Sequence, residues 1–328
     1  MRTRTAVTIA AAALIALSAP ARGACGVCGT AAATHSHVMG IAIGHSEATD
    51  SAAAGDEAAK QAKAGLKGAT PVVVLVFDCV RNKQAMLDAV ARHFAAEIIY
   101  GCSAYNAITP TSPSGTVGVL ALTGVHADAA LKPVEGKNGH EACGRAIGEA
   151  LKPAVARNKK LGQFMVLIGD AHYPINQKLV DGVCGVLGKT FPISGGAAKG
   201  GLTYYKGKVH KKSNLGLLLS GDFTCGFAIK KAKNPKDPMN VVNAAGEAFT
   251  KAIGTHKAKL QMVFAFDCGG RRGQMKDKRP LEVVRMTQAA GNVPIFGFYG
   301  SGETGRDGND APPKGVGYHI CAAAIFKK

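Results

Sequence analysis

One phrase, written three times, limits what this chain can become. Each copy opens with an apolar run that ends at an acidic residue: Val72 to Phe77 before Asp78, Phe164 to Gly169 before Asp170, and Met262 to Phe266 before Asp267. Runs without polar alternation suit strands buried on both faces. In the first two copies an amphipathic stretch follows, at 82–95 and 176–187, with apolar residues spaced three and four apart. A second short strand then enters a turn of small residues: Ile98-Ile99-Tyr100-Gly101-Cys102-Ser103, Ile193-Ser194-Gly195-Gly196-Ala197, and Pro294 to Gly305. Another apolar run closes each copy, at 117–122, 215–219 and 318–326. The pattern predicts an α/β protein with mixed sheets, built from repeated strand-helix-strand-turn-strand units in two closely joined halves.

Between these copies the spacing predicts further helices over 47–67, 140–154 and 239–253, the first supported by Asp56 and Lys60 four residues apart. Tyr204 to Lys208 reads as a hairpin around Gly207. Leu215 to Ser220 and Thr224 to Ile229 read as paired strands joined at Gly221-Asp222. The Lys-, Pro- and Asn-rich stretch 230–238 favours neither helix nor strand and marks the best internal boundary.

The turns are where a small molecule is expected to sit. Glycines let another backbone or a ligand come close, and strand ends are where ligands gather in open α/β sheets. The expected lining is Cys102, Ser103, Ser194, Gly195, Gly196, Tyr299, Gly300 and Ser301, with the strand-end carboxylates Asp78 and Asp267 close by. Glu303 would pair with a ligand ammonium, and Arg271 or Arg272 would take a carboxylate through the planar guanidinium fork. The bland alternatives are that Asp78, Asp170 and Asp267 cap the helices after them, and that Arg271 and Arg272 lie in a solvated loop. Gly300 to Gly305 matches a dinucleotide fingerprint by letter only, because no helix is expected to open there.

The N-terminus carries Arg2 and Arg4, an apolar run from Ala6 to Ala19, and small residues near Gly23. That layout predicts a signal peptide over 1–23, a run too short for a bilayer span. An exported protein, periplasmic or extracellular, is expected, with no transmembrane span. Lipid attachment at Cys25 is disfavoured, since no apolar residue stands three positions before it. Next come Cys25, Cys28, His35 and His37, donors suited to Zn or Cu(I); a disulfide or a plain tether would use the same residues. Of nine cysteines, Cys79, Cys268 and Cys321 fall in or at the ends of apolar strands, where the residue commonly serves as a small buried hydrophobe.

A formal charge of +18 favours anionic ligands by long-range attraction. The lysines are scattered and the chain has no Trp, so the basic and aromatic pattern of nucleic-acid binding is missing and no nucleic-acid partner is expected. No cofactor is called for. A catalytic thiol at Cys102 or Cys268 would need a base beside it, and no His spacing supplies one.

Taken in order, these pieces resemble the FIST domain family. The N-terminal half of that family is similar to Val72–Phe77, Gly101-Cys102-Ser103, Pro192 to Ala198 and Leu217 to Asp222. Its C-terminal half is similar to Phe264 to Arg271 followed by Asn292 to Gly305. The resemblance spans about residues 70 to 326. After a Cys/His-containing N-terminal segment with an entry helix over 24–69, it implies a FIST N-like domain over 70–237 and a FIST C-like domain over 238–328. It also implies sensing of a small polar ligand, an amino acid or related carboxylate, and a signalling partner protein. Two alternatives stay open: a thiol-dependent enzyme using Cys102 or Cys268, and a metal- or redox-handling protein centred on Cys25, Cys28, His35 and His37.

Overall fold

The computed structural model describes residues 39–110, 115–136 and 138–328. The expected signal peptide and the Cys25, Cys28, His35 and His37 set lie outside them.

Three successive units repeat one plan. The first runs β1 (Gly40–Ser46), α1 (Ser51–Gly65), β2 (Val73–Asp78), α2 (Lys83–Ala91), β3 (Ile99–Ser103), β4 (Asn106–Ile108) and β5 (Val117–Thr123). The second runs β6 (His126–Pro133), α3 (Gly139–Arg157), β7 (Gly162–Gly169), α4 (Ile175–Leu187), β8 (Ile193–Ala197), β9 (Leu202–Tyr205), β10 (Lys208–Lys211) and β11 (Ser213–Gly221). The third runs β12 (Phe223–Lys231), α5 (Pro238–Ile253), β13 (Leu260–Cys268), α6 (Gly269–Gln274), α7 (Arg279–Ala290), β14 (Ile295–Gly300), β15 (Glu303–Gly305), β16 (Lys314–Val316) and β17 (His319–Lys327).

Each unit makes a sheet of the same order. β2 pairs parallel with β3 and antiparallel with β5, which takes β1 on its far side. The sets β6-β11-β7-β8 and β12-β17-β13-β14 repeat that arrangement. Each sheet is then extended by its neighbour: β9 of the second unit pairs with β3, β15 of the third with β8, and β4 of the first with β14. This cyclic exchange ties the three units into one body.

Packing follows from the apolar strands. Along β13, Met262, Phe264 and Phe266 point to a core shared by all three sheets, while Val263 and Ala265 face the helices α5 and α7. The shared core takes one face from each unit, with Phe77 against Phe296 and Phe298, and Phe164 against Phe264. Three outer cores lie between each sheet and its own helices. Strands buried on both sides therefore read as continuous hydrophobic runs.

Two local expectations change. The strands around Gly221-Asp222 do not pair with each other. β6 and β7 already occupy both edges of β11, so β12 crosses to the third sheet and pairs with β17. Asp56 does not serve Lys60; it reaches across to Arg92 and His93, each at 2.9 Å, and so joins α1 to α2. The hairpin near Gly207 forms as β9 and β10, with Lys206 and Gly207 both at positive φ.

Helix ends are set by short polar side chains. Asp237 accepts from the Met239 amide at 2.9 Å, Pro238 sits in the first turn of α5, and Gly254 ends it at φ 53°. Replacing Asp237 by Ala is expected to cost about 1 kcal/mol of stability, measured by urea denaturation; a loss below about 0.3 kcal/mol would show that packing alone holds this helix end. No helix of the described residues is long and apolar enough to cross a membrane.

Candidate functional site

The C-terminal ends of β2, β7 and β13 and the exchanged strands beside them place most of the residues singled out in the sequence. The strand-end carboxylates do not share one pocket. Asp78 points to the helix side of the first sheet, where it accepts from Lys83 Nζ at 2.7 Å and from the Tyr204 hydroxyl at 2.5 Å. Tyr204 comes from the exchanged strand β9, so this carboxylate fastens the second unit to the first. Burial pushes Asp78 up, while Lys83 and then Tyr204 pull it back. Ser103 stands opposite it in the parallel ladder.

Asp267 lies in a separate buried network on the helix side of the third sheet. Arg271 Nη1 is 2.5 Å from Asp267, and its Nη2 donates to Glu282 at 2.9 Å and to the Val241 carbonyl at 2.6 Å. The Tyr299 hydroxyl donates to the second Glu282 oxygen at 2.6 Å. Burial drives the Glu282 carboxyl well above its usual range, and the neighbouring Asp267 adds to this. Burial also raises Asp267, which Arg271 opposes most strongly. Both carboxyls are therefore held above the usual carboxylate range by burial, with the Arg271 guanidinium as the cation between them. Both terminal nitrogens of Arg271 are spent inside the protein, and its side chain is buried.

Glu303 is buried too. Its Oε2 accepts from the His319 amide at 3.0 Å, while its buried Oε1 has no hydrogen-bond partner. Burial holds this carboxyl well above the usual carboxylate range. Ser194 donates to the Thr304 carbonyl at 3.1 Å, and Gly195 and Gly196 pair with Thr304 and Glu303. Ser301 donates its amide to the Ala197 carbonyl at 2.8 Å, which draws the second and third turns together beside Gly300.

None of the three aspartates caps a helix. Asn82 caps α2, and neither α4 nor α6 receives a side-chain cap. Each aspartate instead faces a base of its own unit: Lys83 for Asp78, His140 at 2.9 Å for Asp170, and Arg271 for Asp267. Cys102 and Cys268 are buried thiols. Burial and then Asp78 push Cys102 well up, and burial and then Glu303 push Cys268 up to about 12, so neither thiolate is favoured. Cys321 is buried as expected, whereas Cys79 is half-exposed, because β2 ends one residue before it.

What the solvent meets at this end is a different set, supplied by all three units. Tyr105 follows β3 and is 40% exposed; Lys199 follows β8 and holds its ammonium 5.2 Å from the Tyr105 ring centre; Arg272 stands in α6, 5.8 Å from the Tyr299 ring. The Tyr105 ring packs on Gly269, where even a β-carbon would collide with it. Lys83, Lys199 and Arg272 all draw the Cys79 thiol downward, against burial and Asp78, which raise it. Burial and Asp78 prevail, so the thiol stays above its ordinary value. Arg272 was legible as the alternative to Arg271; Tyr105 and Lys199 carry no periodic signal. Glu282 had one, because it occupies a position of the apolar stripe Glu282, Met286, Ala290 of α7.

The FIST N domain matches residues 72–250, more than half of the chain, and the FIST C domain matches residues 216–306. The chain belongs to the FIST N domain family. FIST domains are sensory domains that bind small ligands in signalling proteins. No curated protein matches the chain. Solved structures similar to this FIST protein include two cyanuric acid hydrolases. One, described as an innovation by structural concatenation, has 10% identity and a TM-score of 0.43, covering 89% of this chain and 100% of the other. The enzyme from A. caulinodans has 11% identity and a TM-score of 0.47, covering 88% and 99%. A chorismatase has 7% identity and a TM-score of 0.42, covering 88% and 98%.

Proposed function

We propose that this FIST protein is an exported sensor that reversibly binds an amino acid or related small carboxylate and passes its occupancy to a partner protein. The site is the shared end of the three sheets, around Ser103, Ser301, Cys79, Lys199 and Arg272. The observation that carries this reading is the convergence there of residues from all three units, since a ligand touching them would bias how the units pack against one another. A cleft of about 340 Å³ lined by Ile43, Pro110, Thr287 and Gly291 to Pro294 has no charged lining residue and suits a polar ligand less well.

A thermal-shift screen of the mature protein against amino acids, organic acids and divalent metals tests this. A ligand that binds only the native state at about 100 times its Kd adds about 2.7 kcal/mol and raises Tm. A rise with one amino-acid or organic-acid class, absent in Arg272→Ala, is the expected result. A rise with Zn or Cu alone would move the function to Cys25, Cys28, His35 and His37. N-terminal sequencing of secreted material checks cleavage near Gly23.

A further inference from the structure

Charge bookkeeping at the shared end leaves a surplus. Asp78 and Asp267 form ion pairs within their own units with Lys83 and Arg271, and Asp170 lies 2.9 Å from the His140 ring. Among the described residues, no carboxylate forms an ion pair with Lys199 or Arg272. Lys199 rests its ammonium on Tyr105, and Arg272 is half-buried with its Nε enclosed by protein and without a hydrogen-bond acceptor. Arg279 adds to the imbalance: its Nε donates to the Arg272 carbonyl at 2.9 Å, and its positive charge disfavours the Arg272 cation.

Such an arrangement is unfavourable in the empty protein. A partly desolvated guanidinium without a carboxylate loses hydration that its contact with the Tyr299 ring restores only in part, and a second guanidinium nearby adds repulsion. Surface cations ordinarily relieve this by extending into water. Arg272 is held back by its place in α6, directly after Arg271, whose own side chain is fixed by Asp267 and Glu282. Lys199 is fixed in the same neighbourhood by its position just after β8, whose last residue, Ala197, exchanges backbone hydrogen bonds with Ser301 and Gly302. The two cations come from different units and are brought together by Tyr105 of the remaining one: its ring lies under the Lys199 ammonium and against Gly269, three residues before Arg272, and its amide bonds the carbonyl of Tyr299, whose ring Arg272 faces.

We infer that the missing charge is supplied by the ligand, and that the ligand is a small dicarboxylic acid with one carboxylate on Arg272 and the other on Lys199. This rests on the sensory reading above and narrows its ligand class. The acids near this face are poorly placed to receive an ammonium from solvent: Asp78, Asp267 and Glu303 are buried, and Asp170 is held by the His140 ring at 2.9 Å. A zwitterionic amino acid would leave one cation unanswered and its own ammonium without a partner, whereas a dianion balances both. The planar Arg272 fork suits a bidentate carboxylate, and the ammonium of Lys199 tolerates a wider range of approach. Binding should accordingly weaken as ionic strength rises.

Isothermal titration of the full chain with malonate, succinate, glutarate and alanine at fixed ionic strength tests the inference, in the wild type and in Lys199→Gln and Arg272→Gln. At least one dicarboxylate should bind saturably, alanine should not, and each substitution should weaken the dicarboxylate about tenfold or more. Lys199 is exposed, so its variant remains informative even if the Arg272 variant folds poorly. Occupancy should also slow alkylation of Cys79, followed by mass spectrometry. Dicarboxylate binding that is indifferent to both substitutions, or that leaves Cys79 alkylation unchanged, would overturn the inference. Binding of alanine in preference, lost in the same variants, would overturn it while leaving the sensory reading intact. Absence of dicarboxylate binding would overturn it as well, and the wider thermal-shift screen would then decide the sensory reading separately.

Discussion

Replacing Arg271 by Met is expected to destabilise the protein by about 3 to 5 kcal/mol, the range for removing one partner of a buried ion pair. The substitution keeps most of the volume, so loss of packing is a minor part of the effect. What remains is a pair of buried carboxyls, Asp267 and Glu282, with no cation beside them. The cheapest escape is protonation of a carboxyl that Arg271 had kept ionised, so the folded variant holds a proton that the folded wild type does not, and that the unfolded chain releases above the ordinary carboxylate range. Its stability should then fall as pH rises from about 5 to 8, because the folded state holds the extra proton. The deficit relative to wild type should therefore be larger at pH 8 than at pH 5. Urea denaturation at both values reads this directly. A loss under about 1 kcal/mol at pH 8 would mean that water enters the network and hydrates the carboxylates. The combination Arg271→Met, Asp267→Asn, Glu282→Gln should recover part of the loss, since it removes the stranded charges together.

The same network shows what the sequence could and could not disclose. Val263, Ala265 and their neighbours on β13 form a run that had to be buried on both faces, and the three copies of that run predicted the repeated unit. The exchange of β4, β9 and β15 between neighbouring sheets was not legible. These strands are three or four residues long, and their pairing is set by which edge is open beside them, not by their own composition. At the site, the sequence marked Arg271 and Arg272 as equivalent, since adjacent residues in a loop look alike. In the short helix α6 adjacent side chains point about 100° apart, so Arg271 turns inward to Asp267 while Arg272 stays half-buried near Lys199. The carboxylates had a related ambiguity. An Asp at the end of an apolar strand reads equally as cap, ligand or ion-pair partner, and only the position of Lys83, His140 and Arg271 decides among these.

The second large effect is steric and comes from the repeat itself. Gly101, Gly195 and Gly297 hold the same place in β3, β8 and β14, each paired both with the parallel strand of its own unit and with the exchanged strand of the neighbour. A β-carbon on Gly297 would lie 1.7 Å from the Ala265 carbonyl oxygen, and on Gly195 1.9 Å from that of Leu167. Neither glycine has a positive φ, so the requirement is one of space and not of backbone conformation. The obstruction is main chain at the centre of a sheet, and it cannot rotate away as a flexible side chain would. Relief requires β14 to separate from β13, opening the parallel ladder between the shared core and the α5 and α7 core. Gly297→Ala should accordingly cost about 3 kcal/mol or more, at or above the upper end for overpacking of a well-filled core. Gly273→Ala in α6, where nothing lies within 4 Å of the added carbon, is the control and should be neutral or stabilise by up to about 1 kcal/mol. Comparable small losses for both variants, measured by denaturant unfolding, would show that the parallel pair can part without harm and that this glycine is not what holds the repeat in register.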